Sequence, residues 1–344
     1  MNEKKFNHFK TKDGYLLLAI DGVQTISTNR KIEHAIYKEH SNGTKTYHQY
    51  FLEAKIVSTD GFVFSIDTEI IENLTEQFDK QDCEQKAAYR LLKRIKKEHP
   101  HLKFRILGDG LYCNSVIMDI CDSYRWKYAI TFKGETQYPK LLGEINAEIN
   151  YEQRDNKFTY TLKKNSTTEI YIELRWCNNL IYAFGKNGER EVNYLSAKVI
   201  RIKNGERKEI TTFSYLLSEA VSKSNALQTL MNCRKRWKIE NEGFNFQKNN
   251  ILNISHNYSS IGYASLNFYL LAQIAHTIIQ LAYFTNIAGY VRRAITSTKD
   301  NLSQSLKSIF NSFSIVAGKV KTDFFNRVFK PPKLPVMRIK LKFA

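Results

Sequence analysis

Two short apolar runs, each closing on an aspartate flanked by glycine, constrain this chain more than any other feature. Tyr15-Leu16-Leu17-Leu18-Ala19-Ile20 leads into Asp21-Gly22, and Lys103-Phe104-Arg105-Ile106-Leu107 leads into Gly108-Asp109-Gly110. Runs that short and that apolar suit strands covered on both faces, which requires layers above and below a sheet. Each aspartate is then expected at a strand's end, where neighbouring strands would hold the two carboxylates side by side. Taken singly, an Asp-Gly pair after an apolar run is more often a turn.

The segments around these runs follow an α/β order. Thr46 to Val57 and Phe62 to Ile66 are rich in β-branched and aromatic residues, and Ser58-Thr59-Asp60-Gly61 between them predicts a hairpin turn. Asp82 is expected to cap a helix carrying Ala87, Ala88, Leu91, Leu92 and Ile95 at core spacing and ending before Pro100. Glu84, Asp67 and Glu242 have no comparable placement. Ser115 to Tyr124 has helical spacing, and Lys127 to Phe132 reads as a strand. From Tyr151 to Asn204 the pattern turns to β, with strands expected over 157–164, 168–176, 180–184 and 191–203. Glu209 to Leu217 resembles a further strand of the main sheet, followed by helix over 219–232, a polar loop over 250–260 and a long apolar helix over 261–283. That helix carries Asn267, Gln273, His276 and Gln280, which would be costly in lipid, so a buried helix is expected and not a membrane span.

The balance of 52 Lys and Arg against 34 Asp and Glu gives a formal charge of +18, which points to a polyanionic partner, nucleic acid before an anionic membrane surface. The last 28 residues hold eight Lys and Arg against one Asp, with Pro331, Pro332 and Pro335 opposing a regular helix and Phe324, Phe325, Phe329 and Phe343 interleaved. Five cysteines without a Cys-x-x-Cys pair indicate neither a zinc site nor a disulfide framework, and a reducing cytoplasm is the simplest compartment. The polar first twelve residues carry no secretory signal. His34, His40 and His48 are a rival metal cluster, but their spacing fits a loop and strand edge better than a zinc site.

The stretch from Cys233 to Lys248 carries the third acid. If helical, it places Arg236, Glu240, Phe244 and Lys248 at successive i,i+4 positions, a carboxylate between cations. Phosphodiester chemistry commonly uses two divalent ions about 4 Å apart held by carboxylates, and Mg2+ prefers such hard oxygen ligands. Asp21, Asp109 and Glu240 would supply three. Alone, Glu240 would be an ordinary surface partner of Arg236.

Together, Leu18-Ala19-Ile20-Asp21-Gly22, Lys80-Gln81-Asp82-Cys83-Glu84, Leu107-Gly108-Asp109-Gly110-Leu111-Tyr112 and Arg236-Trp237-Lys238-Ile239-Glu240-Asn241-Glu242-Gly243-Phe244-Asn245 resemble the DDE transposases of bacterial insertion sequences. The resemblance is to the cut-and-paste group and covers about Tyr15 to Phe284. It implies a ribonuclease-H-like mixed sheet with an inserted all-β subdomain and a helical, basic C-terminal region. The expected divisions are residues 1–150 and 205–286 for the catalytic domain, 151–204 for the insertion and 287–344 for the basic region. The family signature is Tyr, two residues, Arg, three residues, Glu, six residues, Lys. Arg236 and Glu240 match it, whereas Cys233 stands at the Tyr position and Gln247 at the Lys position, with Lys248 one residue late.

By that resemblance Asp21, Asp109 and Glu240 would bind Mg2+ or Mn2+, and water would cleave the element's end to free a 3′-hydroxyl that attacks the second strand or the target. Arg236 and Lys248 would hold phosphates and Trp237 would stack on an unpaired base. Double-stranded DNA is the implied partner, and a homodimer the implied assembly. Family members carry a DNA-binding region before the first aspartate, where twenty residues stand here, so poor binding of element ends by this chain alone is expected. The competing expectations are a stand-alone nuclease of the same fold and a catalytically silent DNA-binding remnant.

Overall fold

The computed structural model describes residues 9–284 apart from 59–61, 74–79, 152–155, 166–167, 186–187, 205, 250–251 and 258–262. The basic C-terminal region, most of the predicted hairpin turn and part of the polar loop lie outside the described residues. In chain order, β1 (Leu16–Thr28), β2 (Ile36–Glu39), β3 (Lys45–Val57) and β4 (Val63–Ile71) precede α1 (Glu84–Glu98), β5 (Phe104–Gly108), α2 (Ser115–Ser123) and β6 (Lys127–Thr131). Then come α3 (Gly134–Gln137), α4 (Pro139–Tyr151), β7 (Lys157–Asn165), β8 (Thr168–Ala183), β9 (Glu189–Lys203) and β10 (Glu206–Leu217). The last described elements are α5 (Ala226–Arg234), a π-helical turn (Ile239–Asn245), α6 (Phe246–Asn249) and α7 (Ala264–Phe284).

The ten strands of the described residues join one mixed sheet in the order β2-β3-β1-β5-β6-β10-β9-β8-β7, with β4 also pairing β3. β1, β5 and β6 run parallel, and the remaining pairings are antiparallel. The strands of the 151–204 region extend this same sheet through β10, which pairs with β6. Two strands expected there form the single β8. Its register shifts between Cys177 and Leu180, where Asn179 takes φ 57°, a bulge that bends the strand without ending it.

β1 corrects the expectation that Asp21 ends a strand. The strand passes through Asp21-Gly22 to Thr28 because β3 continues to pair with it, Asp21 opposite Glu53 and Thr28 opposite Tyr47. β5 pairs only with Leu16 to Ala19. Asp21 therefore stands just past that pairing, at the carboxyl end of the parallel strands, where open α/β sheets place their ligands. Arg105, a buried charge within the second apolar run, is matched by Asp13 at 2.7 Å and Glu219 at 2.5 Å.

Helices cover both faces. Leu16, Leu18, Ile20, Leu52 and Ile106 pack with Ala88, Leu91 and Ile95 of α1 and with side chains of α2 and α4. Leu17, Ala19, Phe51, Leu107 and Leu195 pack with Leu230 of α5, Phe244, and Tyr269 and Ala272 of α7. Each fully buried leucine or isoleucine contributes about 1.5–3 kcal/mol. Asp82 does not cap α1. The N-cap is Cys83, with no side-chain bond. The Asp82 carboxylate instead accepts from Arg90 at 2.7 Å and from the Glu72 amide at 3.3 Å. Among the described residues no helix is long and apolar enough to cross a membrane.

Candidate active site

Asp109 follows β5 directly and caps a short 3-10 turn, its Oδ1 accepting from the Leu111 amide at 2.9 Å. Asp21 stands on the neighbouring strand β1. Arg236 bridges from the loop after α5, its Nη1 3.5 Å from Asp21 Oδ2 and 2.8 Å from Glu240 Oε1. One guanidinium thus ties the first and third predicted acids together. Burial pushes the Asp21 carboxyl from its ordinary 3.8 up to about 7. Arg236 opposes the rise, while the carboxylates of Glu240, Glu84 and Asp109 add to it. The fields of all three other acids reach Asp21.

Glu84 is the residue that sequence reasoning passed over. It sits in the first turn of α1 with its carboxylate against Gly22, on the sheet face opposite the Asp21 side chain. A Cβ at Gly22 would lie 2.7 Å from Glu84 Oε2, so this glycine serves close approach within a strand and not a turn. The Tyr112 hydroxyl donates to Glu84 Oε1. Burial raises the Glu84 carboxyl, with Tyr112 and the Gly22 amide opposing and Asp109 reinforcing. The signal was the Gly in Asp21-Gly22, which reads equally well as a turn. Lys133, just past β6, was also missed. Its methylenes lie over Gly110, where a Cβ would stand 2.9 Å from Lys133 Cδ.

The predicted i,i+4 stripe does not survive as one surface. Ile239 to Asn245 form a π-helical turn, so the periodicity widens after Glu240. Arg236 and Glu240 keep their contact, but Phe244 is buried in the core. Gln247, at the signature's Lys position, is fully buried, and Lys248 beside it is only partly covered. Lys248 makes no hydrogen bond or ion pair to another described residue. Cys233, at the Tyr position, is also core, its thiol pushed up to about 12 by burial. Trp237 is 56% exposed and free to stack.

Four carboxylates offer the hard oxygen donors that Mg2+ or Mn2+ takes. The Arg236 guanidinium already holds a cation's place between two of them. Among the described residues, no three Asp, Glu, His or Cys side chains converge on one point at ligand distance. The donors are of the kind a divalent ion takes, but as placed these side chains do not form a ligand shell. Of the rival histidines, His34 bonds the Asn73 carbonyl at 3.1 Å and His40 bonds Thr46 at 2.8 Å, while the buried Nδ1 of His48 has no hydrogen-bond partner among the described residues. No protein-family model matches the chain, and no curated protein matches it.

Proposed function

We propose that this chain is the catalytic part of a DDE-type DNA transposase with a ribonuclease-H-like core and a β-rich extension at 151–204. The observation that carries the reading is Arg236 spanning Asp21 and Glu240 past the end of the parallel pairing, with Asp109 at the end of the neighbouring strand close enough for its charge to act on Asp21. The strand order β4-β3-β1-β5-β6, two antiparallel pairings followed by two parallel ones, supports the fold assignment. The charge of +18 suits a polyphosphate partner.

Asp21, Asp109 and Glu240 would hold Mg2+ or Mn2+, with Glu84 acting on Asp21 through its charge from the other face of the sheet. When bound, the ions supply Lewis acidity for water or a 3′-hydroxyl attacking a phosphodiester. Asp21 must give up a proton before it can serve as a ligand. Its high pKa makes that step the pH-sensitive one. Arg236, Lys248 and Lys133 would take phosphates as charge-assisted contacts, and exposed Trp237 an unpaired base. Pairing two DNA ends calls for a homodimer.

A second reading rests on Glu84. A fourth carboxylate exceeds the transposase signature and favours a stand-alone nuclease of the same fold. Incubating the purified chain with labelled duplex DNA and Mg2+ decides between them. Nicking plus joining supports the transposase, nicking without joining the nuclease. Asp109→Ala should abolish both activities, and activity that survives this change rejects the site. A wild-type chain that binds DNA without cutting it would be a silent remnant.

A further inference from the structure

Beneath the site lies a polar cluster that none of the site chemistry uses. Glu53 and Lys55 on β3 form an ion pair at 3.1 Å with both side chains 0% exposed. Burying such a pair is often no better for stability than apolar packing of the same volume, so its retention asks for another reason. Every contact it makes is specific. Glu53 accepts from Ser65 and Thr68 at 2.6 Å and from the Tyr269 hydroxyl of α7 at 3.0 Å. Lys55 donates to Gln273 Oε1 of α7 at 2.5 Å. Gln247 Nε2 donates to the same oxygen at 2.7 Å, and Gln273 Nε2 points back to Gln247 Oε1 at 3.4 Å.

Lys55 also meets the π-helical turn. A Cβ at Gly243 would rest 3.5 Å from Lys55 Cδ, and Lys55 Nζ lies 5.6 Å from the Phe244 ring centre. The segment bearing Glu240 is thus gripped from within at Gly243, Phe244 and Gln247, by β3 and α7 together. On the outer side Glu240 is held by Arg236 and is 40% exposed. A π-helical turn is a rare conformation that needs support from its surroundings. Here the support is polar and comes from elements distant in sequence. A lysine at 247 would set a second ammonium next to Lys55, which accounts for glutamine there.

We propose that Lys55, Gln273 and Gln247 are positioning residues, a buried relay from β3 and α7 that sets the π-helical turn and hence Glu240 against Asp21. The proposal deepens the transposase or nuclease reading and rests on it for the role of Glu240. The test uses the full chain with Gln247→Leu, which cuts the relay at similar volume, and Gln273→Glu, which keeps the acceptor shared by Lys55 and Gln247. Hydrogen exchange in metal-free buffer should show the amides of 239–246 opening about tenfold faster in Gln247→Leu, with β5 and α1 unchanged. In DNA nicking, the Mn2+ needed for half-maximal rate should rise about tenfold in Gln247→Leu while KM for DNA holds, and Gln273→Glu should keep exchange and Mn2+ requirement near wild type.

Exchange in Gln247→Leu that equals wild type, or that rises evenly through α1 and β5, overturns the relay. If Gln247→Leu does not fold, Gln247→Asn carries the same readouts. A wild-type chain that neither nicks nor joins DNA sinks the functional reading alone. The exchange pattern still decides whether the relay holds the turn.

Discussion

The two faces of the sheet are built on opposite rules. On the α1 face, Ala87, Ala88, Leu91, Leu92 and Ile95 point inward and the charges point out, with Arg90 and Arg94 paired to Asp67, Glu69 and Asp82 at the rim. On the α7 face the arrangement inverts. Gln273, His276 and Gln280 are buried while Leu271, Ile274 and Ile278 are exposed. The first helix docks by removing apolar surface from water. The second docks on a buried ion pair as well as through Tyr269 and Ala272, and Gln273 and Gln280 answer groups on β3 and β4, Gln280 facing the Val63 amide. One face therefore tolerates apolar substitution by size, whereas the other is sensitive to the loss of a single partner.

The comparison breaks most directly at Lys55. Lys55→Met leaves Glu53 charged and buried without its cation, and about 3–5 kcal/mol of unfolding free energy should be lost in a urea titration. A loss under 1 kcal/mol would show that the α7 face is held by apolar packing after all.

The next effect comes from Asp21, whose side chain faces the π-helical turn. Its folded carboxyl titrates near 7 against 3.8 ordinarily, so the folded chain keeps a proton that the unfolded chain releases between those values. Stability should then fall as pH rises from about 4 to 7 and level off above, by up to about 4 kcal/mol. Denaturation in EDTA at successive pH values measures this, and Asp21→Asn should flatten the slope. An unchanged slope in the variant would place the titrating group elsewhere.

Gly22→Ala probes the α1 face. The new methyl meets Glu84, and overpacking of this kind costs about 1–3 kcal/mol. Combining it with Glu84→Ala should recover most of the loss; independent, additive losses would deny the close approach. The smallest effect belongs to the exposed side of α7, where Ile274→Glu should change stability by less than about 0.5 kcal/mol. A larger loss there would mean that α7 buries more of its apolar side in solution than the sheet alone requires.

The same contrast governs how much could be read from sequence. α1, β5 and the hairpin of β3 and β4 were legible because their apolar spacing reports burial directly. Asp109 was legible because an apolar run stops at it. The β-rich character of 157–217 was legible from alternation, while its fusion into the main sheet depended on β10 finding β6. Asp82 misled, since the same carboxylate that caps a helix can also pair with an arginine two turns along. Glu84 was hidden because its importance comes from a missing Cβ on another element.

Sequence alone brought Asp21, Asp109 and Glu240 forward as candidates and determined the basic charge and the buried strands, because those depend on composition and local period. Tertiary structure decided the rest. It carried β1 past Asp21 through pairing with β3, set Glu84 against Gly22, widened the helix after Glu240 and turned the polar side of α7 inward. Each of these depends on a partner far along the chain, and no local pattern of residues encodes where that partner will stand.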